Sequence, residues 1–316
     1  MAMLMDRRGF FGLAAGAVGA VALAGCAGSA ETAVASTRAV EGATGPVQIP
    51  VNPARVVCLD HYTPGALLDV GYTPVAMAEY DETQLLATHL DAYRAIPKVG
   101  PRNGAKPELV LTHTPDLILS TALSHAPDTN AARFAEIAPT VYFPARQAGE
   151  WKLHALSAAD TVGKRAEGDE VKRRYDERAN DIATRYQDVF ARTRWSMVMG
   201  GRNPATWYLA LPDSWSGVVL ADAGVQFSDI SQGTGTTKEF SIELIDTLTP
   251  SDVILYQADN TGAPLPTTNP LRATEAWTRL PAVRTGHAYP LSYFNTLHYG
   301  QAMSVLDRIE EIAKTL

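Results

Sequence analysis

The sequence predicts an α/β protein of two sheet-centred lobes joined by one long, rigid helix, and three observations carry that expectation. Short runs rich in branched apolar residues alternate with helical stretches along most of the 316 residues, as expected of parallel sheets covered by helices on both faces. A proline-free, densely charged segment over 168–194 lies mid-chain. One stretch of the first half is echoed in the second, as two lobes of similar build would require.

Taken in order, Arg7-Arg8-Gly9-Phe10-Phe11 opens a Gly/Ala-rich apolar run that ends at Leu23-Ala24-Gly25-Cys26. Paired arginines, a short weakly apolar run and small residues at a cleavage point read as a twin-arginine export signal over 1–25. The run is too short and too weakly apolar for a spanning helix, which needs about 20 strongly apolar residues. Leu-Ala-Gly-Cys also resembles the lipobox of bacterial lipoproteins, which implies a diacylglycerol on Cys26. At about 0.8 kcal/mol per buried CH₂, two or more acyl chains anchor durably. The expected location is the cell envelope, lipid-anchored to the outer face of the cytoplasmic membrane. Residues 26–46, rich in Ala, Ser, Thr and Gly without periodicity, read as a flexible tether.

The first lobe is expected over 47–165, with strands at 56–60, 74–78, 117–120 and 140–143 among helices at 65–70, 85–89, 106–112, 131–138 and 151–162. Cys58 sits in the apolar run Val56-Val57-Cys58-Leu59. With Cys26 acylated it has no disulfide partner and reads as a buried, inert thiol. The connecting helix is expected over 166–194, because Val171, Tyr175, Ala179, Ile182, Tyr186 and Phe190 recur at steps of three and four. Strand–helix alternation resumes over 195–316 and closes with a helix near 299–314. The echo pairs Pro107-Glu108-Leu109-Val110…Thr114-Pro115-Asp116-Leu117-Ile118-Leu119 with Ile242-Glu243-Leu244-Ile245…Thr249-Pro250-Ser251-Asp252-Val253-Ile254-Leu255. In both, Glu-Leu opens a short helix, Thr-Pro ends it, and Asp leads into a buried strand. Net charge −7 and a pI near 5.5 argue against nucleic acid or an anionic membrane surface as the main partner.

The opening Val47-Gln48-Ile49-Pro50-Val51-Asn52-Pro53-Ala54-Arg55-Val56-Val57 resembles the start of the iron-siderophore and vitamin B12 class of periplasmic binding proteins. Val99-Gly100 ahead of Glu108 and Pro115-Asp116-Leu117, then Trp277…Leu280-Pro281-Ala282-Val283, then Val305-Leu306-Asp307, are similar to its later landmarks, in the right order. The resemblance implies two Rossmann-like lobes on a single stiff helix, a ligand cleft between them, and delivery of a ferric siderophore to an ABC importer, a permease dimer with its ATPase, by a monomeric carrier. A siderophore encloses its own iron, so the carrier needs aromatic surface and a cation rather than metal ligands of its own.

Arg102, after Val99-Gly100-Pro101, stands where hydroxamate-binding relatives place a ligand-contacting arginine, and its planar fork suits chelate oxygens. His61 and Tyr62 follow the first strand, at the carboxyl end where open α/β sheets bind ligands. Trp207, Tyr208 and Trp215 cluster early in the second lobe; some must be core, and at least one tryptophan is expected to face the cleft. Tyr293 and Phe294 precede Val305-Leu306-Asp307 by the spacing at which relatives place a cleft tyrosine. Gly233-Thr234-Gly235-Thr236-Thr237-Lys238 replaces a tryptophan of those relatives and puts Lys238 at the cleft rim. Glu108 and Glu243 favour helix N-termini; the resemblance implies that they also dock onto importer arginines.

Haem is the nearest rival ligand, with His61, Tyr62, His125, His298 and Tyr299 as candidate axial ligands, and cobalamin stands behind it. Seven scattered histidines, with no His-rich loop, argue against a direct zinc or manganese site. No nucleophile elbow, Walker loop or dinucleotide fingerprint occurs, so binding rather than catalysis is expected, with an exported enzyme or a non-transport envelope protein as alternatives from other classes.

Overall fold

The structure, a computed structural model, describes residues 36–102, 104–121 and 130–316; the export signal, Cys26 and His125 lie outside them. Ordered pairing begins earlier than expected. Thr37–Gly42 (β1) and Gly45–Pro50 (β2) form an antiparallel hairpin, so residues 37–46 are not tether. Val40 faces Val47 across the ladder and both pack on the core, while Arg38 pairs with Asp160 at 3.1 Å. Gly45, at φ 109°, turns the chain where a side chain would be strained. The small residues that suggested a tether are here a two-residue turn between half-buried strands.

The first sheet takes its strands in the order β5-β4-β3-β6-β7, all parallel: Val56–Cys58 (β3), Ala76–Glu79 (β4), Lys98–Pro101 (β5), Leu117–Thr121 (β6) and Thr140–Phe143 (β7). Helices Thr63–Asp69 (α1), Leu90–Ala95 (α2), Pro107–Thr112 (α3) and Ala131–Ile137 (α4) connect them. Every residue of β3, β6 and β7 is buried, as strands covered on both faces must be. Cys58 is fully buried and burial pushes its thiol up, consistent with an inert side chain.

Trp151–Thr161 (α5) leads into the expected long helix, Arg165–Arg185 (α6). Its buried stripe is Tyr175, Ala179 and Ile182. The helix does not run on to 194 unbroken: Tyr186, at φ −111° and ψ 19°, interrupts it before Gln187–Arg192 (α7). The apolar stripe continues across this break, which is why periodicity alone does not reveal it.

The second sheet has the order β10-β9-β8-β11-β12, from Trp195–Gly200 (β8), Thr206–Ala210 (β9), Thr237–Ser241 (β10), Val253–Gln257 (β11) and Ala288–Leu291 (β12). β8, β11 and β12 are parallel; β9 and β10 run antiparallel. β10 is a half-exposed edge strand, polar apart from Phe240. Gly217–Asp222 (α8), Asn269–Arg272 (α9), Glu275–Arg279 (α10) and Pro281–Arg284 (α11) pack around this sheet, and Tyr299–Ala313 (α12) closes the chain. Arg178 and Arg185 of α6 both reach Glu310 of α12, at 2.6 and 2.7 Å, and the Arg178 bond leads in holding that carboxyl down to about 2. The largest apolar cluster draws residues from both sheets, from α6 and from α12, so the lobes share one core.

Candidate ligand-binding cleft

A cleft of about 510 Å³ opens where the carboxyl ends of parallel strands from both sheets meet. Glu79 ends β4, Pro101 ends β5 and Gln257 ends β11; Tyr80, Asp81, Gln84, Arg102, Leu265 and Asn295 complete the wall. This is where the free strand ends and helix starts of an open α/β sheet leave room for a ligand. A larger hollow of about 620 Å³ lies against α5 and α6, on helix flanks rather than strand ends.

Tyr80 is positioned by Tyr93, whose hydroxyl accepts from the Tyr80 N–H at 2.8 Å and donates to its carbonyl at 2.7 Å. The Arg102 guanidinium lies 5.8 Å from the Tyr80 ring centroid, and His61 stacks on the same ring at 4.9 Å. Arg102 and His61 therefore meet through Tyr80, a residue the sequence reading missed although it follows β4 as His61 follows β3. Arg102 is exposed and makes no ion pair among the described residues. The turn before His61 is set by Asp60, whose carboxylate accepts from the N–H groups of Tyr62 and Thr63 and from the Thr63 hydroxyl. Burial pushes that carboxyl up to about 6, against the downward pull of the Thr63 and Tyr62 bonds.

Tyr62 and Trp215 form part of the seam between lobes rather than an open wall. The Trp215 indole donates to the Tyr62 hydroxyl at 3.2 Å, and the Trp215 carbonyl accepts from Trp151 at 2.9 Å. Tyr293 is also a seam residue: at φ 56° it holds a left-handed conformation, and its hydroxyl accepts from the Ala87 N–H at 3.3 Å. Asn260 adds bonds from its N–H to Thr83 and from its amide to Glu82 and Leu85.

Three expectations are corrected. Trp207 is fully buried, stacked on Phe240 at 4.7 Å with its indole N–H on the Ser241 carbonyl, so it is core of the second lobe. Phe294 is likewise fully buried. Lys238 does not reach out from the rim; its ammonium folds back onto the carbonyls of Ile230 and Gln232 and braces its own loop. Tyr208, beside Trp207 on β9, is half-buried and does not line the cleft described above. Glu108 and Glu243 are both exposed, each in the first turn of its short helix, with Glu108 paired to Arg133.

The scattered histidines conceal one meeting. Asp69 at the end of α1, His89 and His298 converge in the seam. His298 Nδ1 lies 2.8 Å from Asp69 Oδ2, which also accepts from the Gly300 N–H at 2.8 Å; His89 Nε2 lies 3.4 Å from Oδ1. The imidazoles are stacked, 5.2 Å apart and inclined by 20°, and both present a ring nitrogen to the one carboxylate, the three ligand atoms lying within 4.8 Å of one another. The group reads as a hydrogen-bonded latch. It explains Gly65, where a Cβ would come within 2.4 Å of the His298 ring. His298 and the buried Tyr299 lie in this seam, away from the residues that line the cleft. Two seam residues 229 positions apart leave no sequence signal.

Residues 56–292 match the model of the family described as Periplasmic binding protein. The chain is 28% identical over 271 residues to a probable siderophore-binding lipoprotein, YfiY, of Bacillus subtilis, covering 82% of this chain and 81% of that one. It is 24% identical to the Fe(3+)-citrate-binding protein YfmC of the same organism, over 80% and 78%. Among solved structures it superposes on the siderophore periplasmic binding protein from the fuscachelin gene cluster of Thermobifida fusca with a TM-score of 0.76, at 31% identity, over 85% of this chain and 99% of that one.

Proposed function

We infer that this chain, which belongs to the periplasmic binding protein family, captures a ferric siderophore and delivers it to an ABC importer for iron uptake. The observation that carries the reading is the cleft at the strand ends of two sheets that share one core, lined by Tyr80, with His61 stacked on it, and by the Arg102 guanidinium, which has no ion pair among the described residues. Aromatic surface suits the organic shell of a chelate, and the guanidinium suits the oxygens around its iron. The Thermobifida and Bacillus relatives, named for siderophore binding, support the same ligand class.

Two further elements belong to this reading. The twin-arginine signal and a lipid on Cys26 place the carrier at the outer face of the cytoplasmic membrane, in keeping with Bacillus relatives named as lipoproteins. Glu108 and Glu243 dock the two lobes onto the permease. In support, each stands next to an apolar residue left open to solvent, Leu109 at 39% and Leu244 at 49%.

The test is intrinsic tryptophan fluorescence, titrated with ferric siderophores, haem and cobalamin. Ferric siderophores should quench emission, Trp215 being bonded to Tyr62 beside the cleft wall. Arg102→Ala should weaken that binding by about 1.5–3 kcal/mol, the scale of a charge-assisted hydrogen bond, with thermal stability unmoved. Quenching by none of the ferric chelates, or a Soret band on adding haem, overturns the reading.

A further inference from the structure

The charges of the cleft narrow the ligand class, an inference that rests on the siderophore reading above. Among the described residues Arg102 is the one cationic side chain that lines the cleft, against two carboxylates, Glu79 and Asp81. Lys98 of β5 folds onto the carbonyls of Tyr93 and Ile96, Lys238 onto those of Ile230 and Gln232, and Lys106 is exposed outside the lining. Arg94 is paired with Glu82 at 2.7 Å. Asp81 Oδ1 accepts from the N–H and the hydroxyl of Thr83, which leaves its other oxygen and its negative charge at the cleft. Glu79 is exposed with no ion pair among the described residues. On the facing lobe, Asn295 holds a buried Oδ1 that meets no donor.

A polycarboxylate chelate brings several negative oxygens and needs several cations to offset their desolvation. Among the described residues this cleft offers one cation, and surrounds it with acceptors. We propose that the ligand is a neutral or cationic ferric chelate whose outer shell carries a protonated amine or comparable N–H donor, directed at Glu79 and Asp81, while Arg102 takes the iron-bound oxygens. An anionic carboxylate chelate such as ferric citrate is disfavoured by the same charges. Complementary charge of this kind sets specificity more than total affinity.

A matched pair of probes tests this. Ferrioxamine B carries one ammonium arm, and its N-acetylated form has the same iron-hydroxamate core without that charge. In fluorescence titrations of the full chain, the ammonium form should bind about tenfold more tightly than the acetylated form, and both more tightly than ferric citrate. The preference should shrink in the double variant Glu79→Gln, Asp81→Asn and at high salt. Asn at 81 keeps an acceptor for Thr83, and an unchanged melting temperature shows that the fold is intact. Equal affinity for the two forms, or tighter binding of ferric citrate, overturns the charge inference and leaves the siderophore reading standing. Failure of every ferric chelate to bind overturns both.

Discussion

The two echoed segments solve the same backbone problem and then diverge. In the first lobe Asp116, ahead of β6, accepts from the N–H groups of Ala54 and Arg55 at 2.7 and 2.9 Å, and its own N–H returns to the Arg55 carbonyl at 3.1 Å. In the second, Asp252 ahead of β11 accepts from the Arg194 N–H at 2.7 Å and returns its N–H to the Arg194 carbonyl at 2.8 Å. Each aspartate thus aligns two parallel strands at their first residue, where the ladder has not yet begun to pair backbone groups. The arginines differ. Arg55 reaches the carbonyls of His113 and Thr114 at the end of α3, and Thr114 there adopts φ 41°. Arg194 turns back to Ala191 and Thr193, because β8 follows α7 directly and the last carbonyls of that helix need donors. Thr249 keeps a helical φ of −51°. The repeat persists where strand pairing demands it and lapses where the preceding element changes.

The largest effect is expected where the lobes are joined rather than where they match. Asp69→Asn removes the carboxylate that accepts from the Gly300 N–H and bonds both imidazoles, and should cost about 3 kcal/mol in urea unfolding, the upper end of the scale for hydrogen bonds to a charged group. The same latch sets a pH dependence. Burial first, and His298 second, hold His89 down to about 4, against the upward pull of Asp69. Below the unfolded value near 6.5 the unfolded chain therefore takes up the proton first, and stability should fall as pH drops from about 6.5 to 4. The loss is at most about 3 kcal/mol, and less after solvent screening of the partly open ring. Asp69 is itself held below the usual carboxylate range by His298 and the Gly300 N–H, although its burial alone would raise it. Its contribution is present above the unfolded carboxylate value and is lost as pH falls further through the folded one. A stability curve flat from pH 7 to 4 would remove the latch from this account.

The matched aspartates come next. Asp116→Ala deletes two N–H acceptors and Asp252→Ala one, so at about 1 kcal/mol per net hydrogen bond the first should cost about twice the second, roughly 2 against 1 kcal/mol. Equal losses would show that water replaces the bonds in both places and that the echo is one of shape alone.

Much of this was legible in the chain. Branched apolar runs located most of the buried strands, because a strand covered on both faces has no other composition available. The Glu-Leu…Thr-Pro…Asp spacing located both clamps before their partners were known. What stayed hidden has physical causes. β10 is mostly polar because its edge is wet, with Phe240 alone turned onto Trp207, and the β1–β2 hairpin gives the core only Val40, Val47 and Ile49, too few for an apolar run. Which of Trp207, Tyr208 and Trp215 is core, and where Lys238 turns, stay hidden because composition does not tell which way a strand side chain points, nor that an ammonium will satisfy nearby carbonyls first. The latch unites residues 69, 89 and 298, which no local pattern connects.

The smallest effect on the fold, and the sharpest test of what the two lobes do together, falls on Glu108 and Glu243. Both are exposed, and only Glu108 has an ionic partner among the described residues, Arg133. Neither substitution to Ala should move the melting temperature measurably, and ligand affinity should stay unchanged, because neither residue lines the cleft. If the glutamates dock the two lobes onto a two-fold permease, each single change should reduce uptake of labelled ferric siderophore and the double change should nearly abolish it. The pair also separates the lobes: Glu243 is free to engage at once, whereas Glu108 must first leave Arg133. Arg133→Ala should then raise uptake or leave it unchanged, never lower it, if Glu108 is wanted by the importer. Normal uptake in the double glutamate variant would return both acids to the bare role of starting a helix.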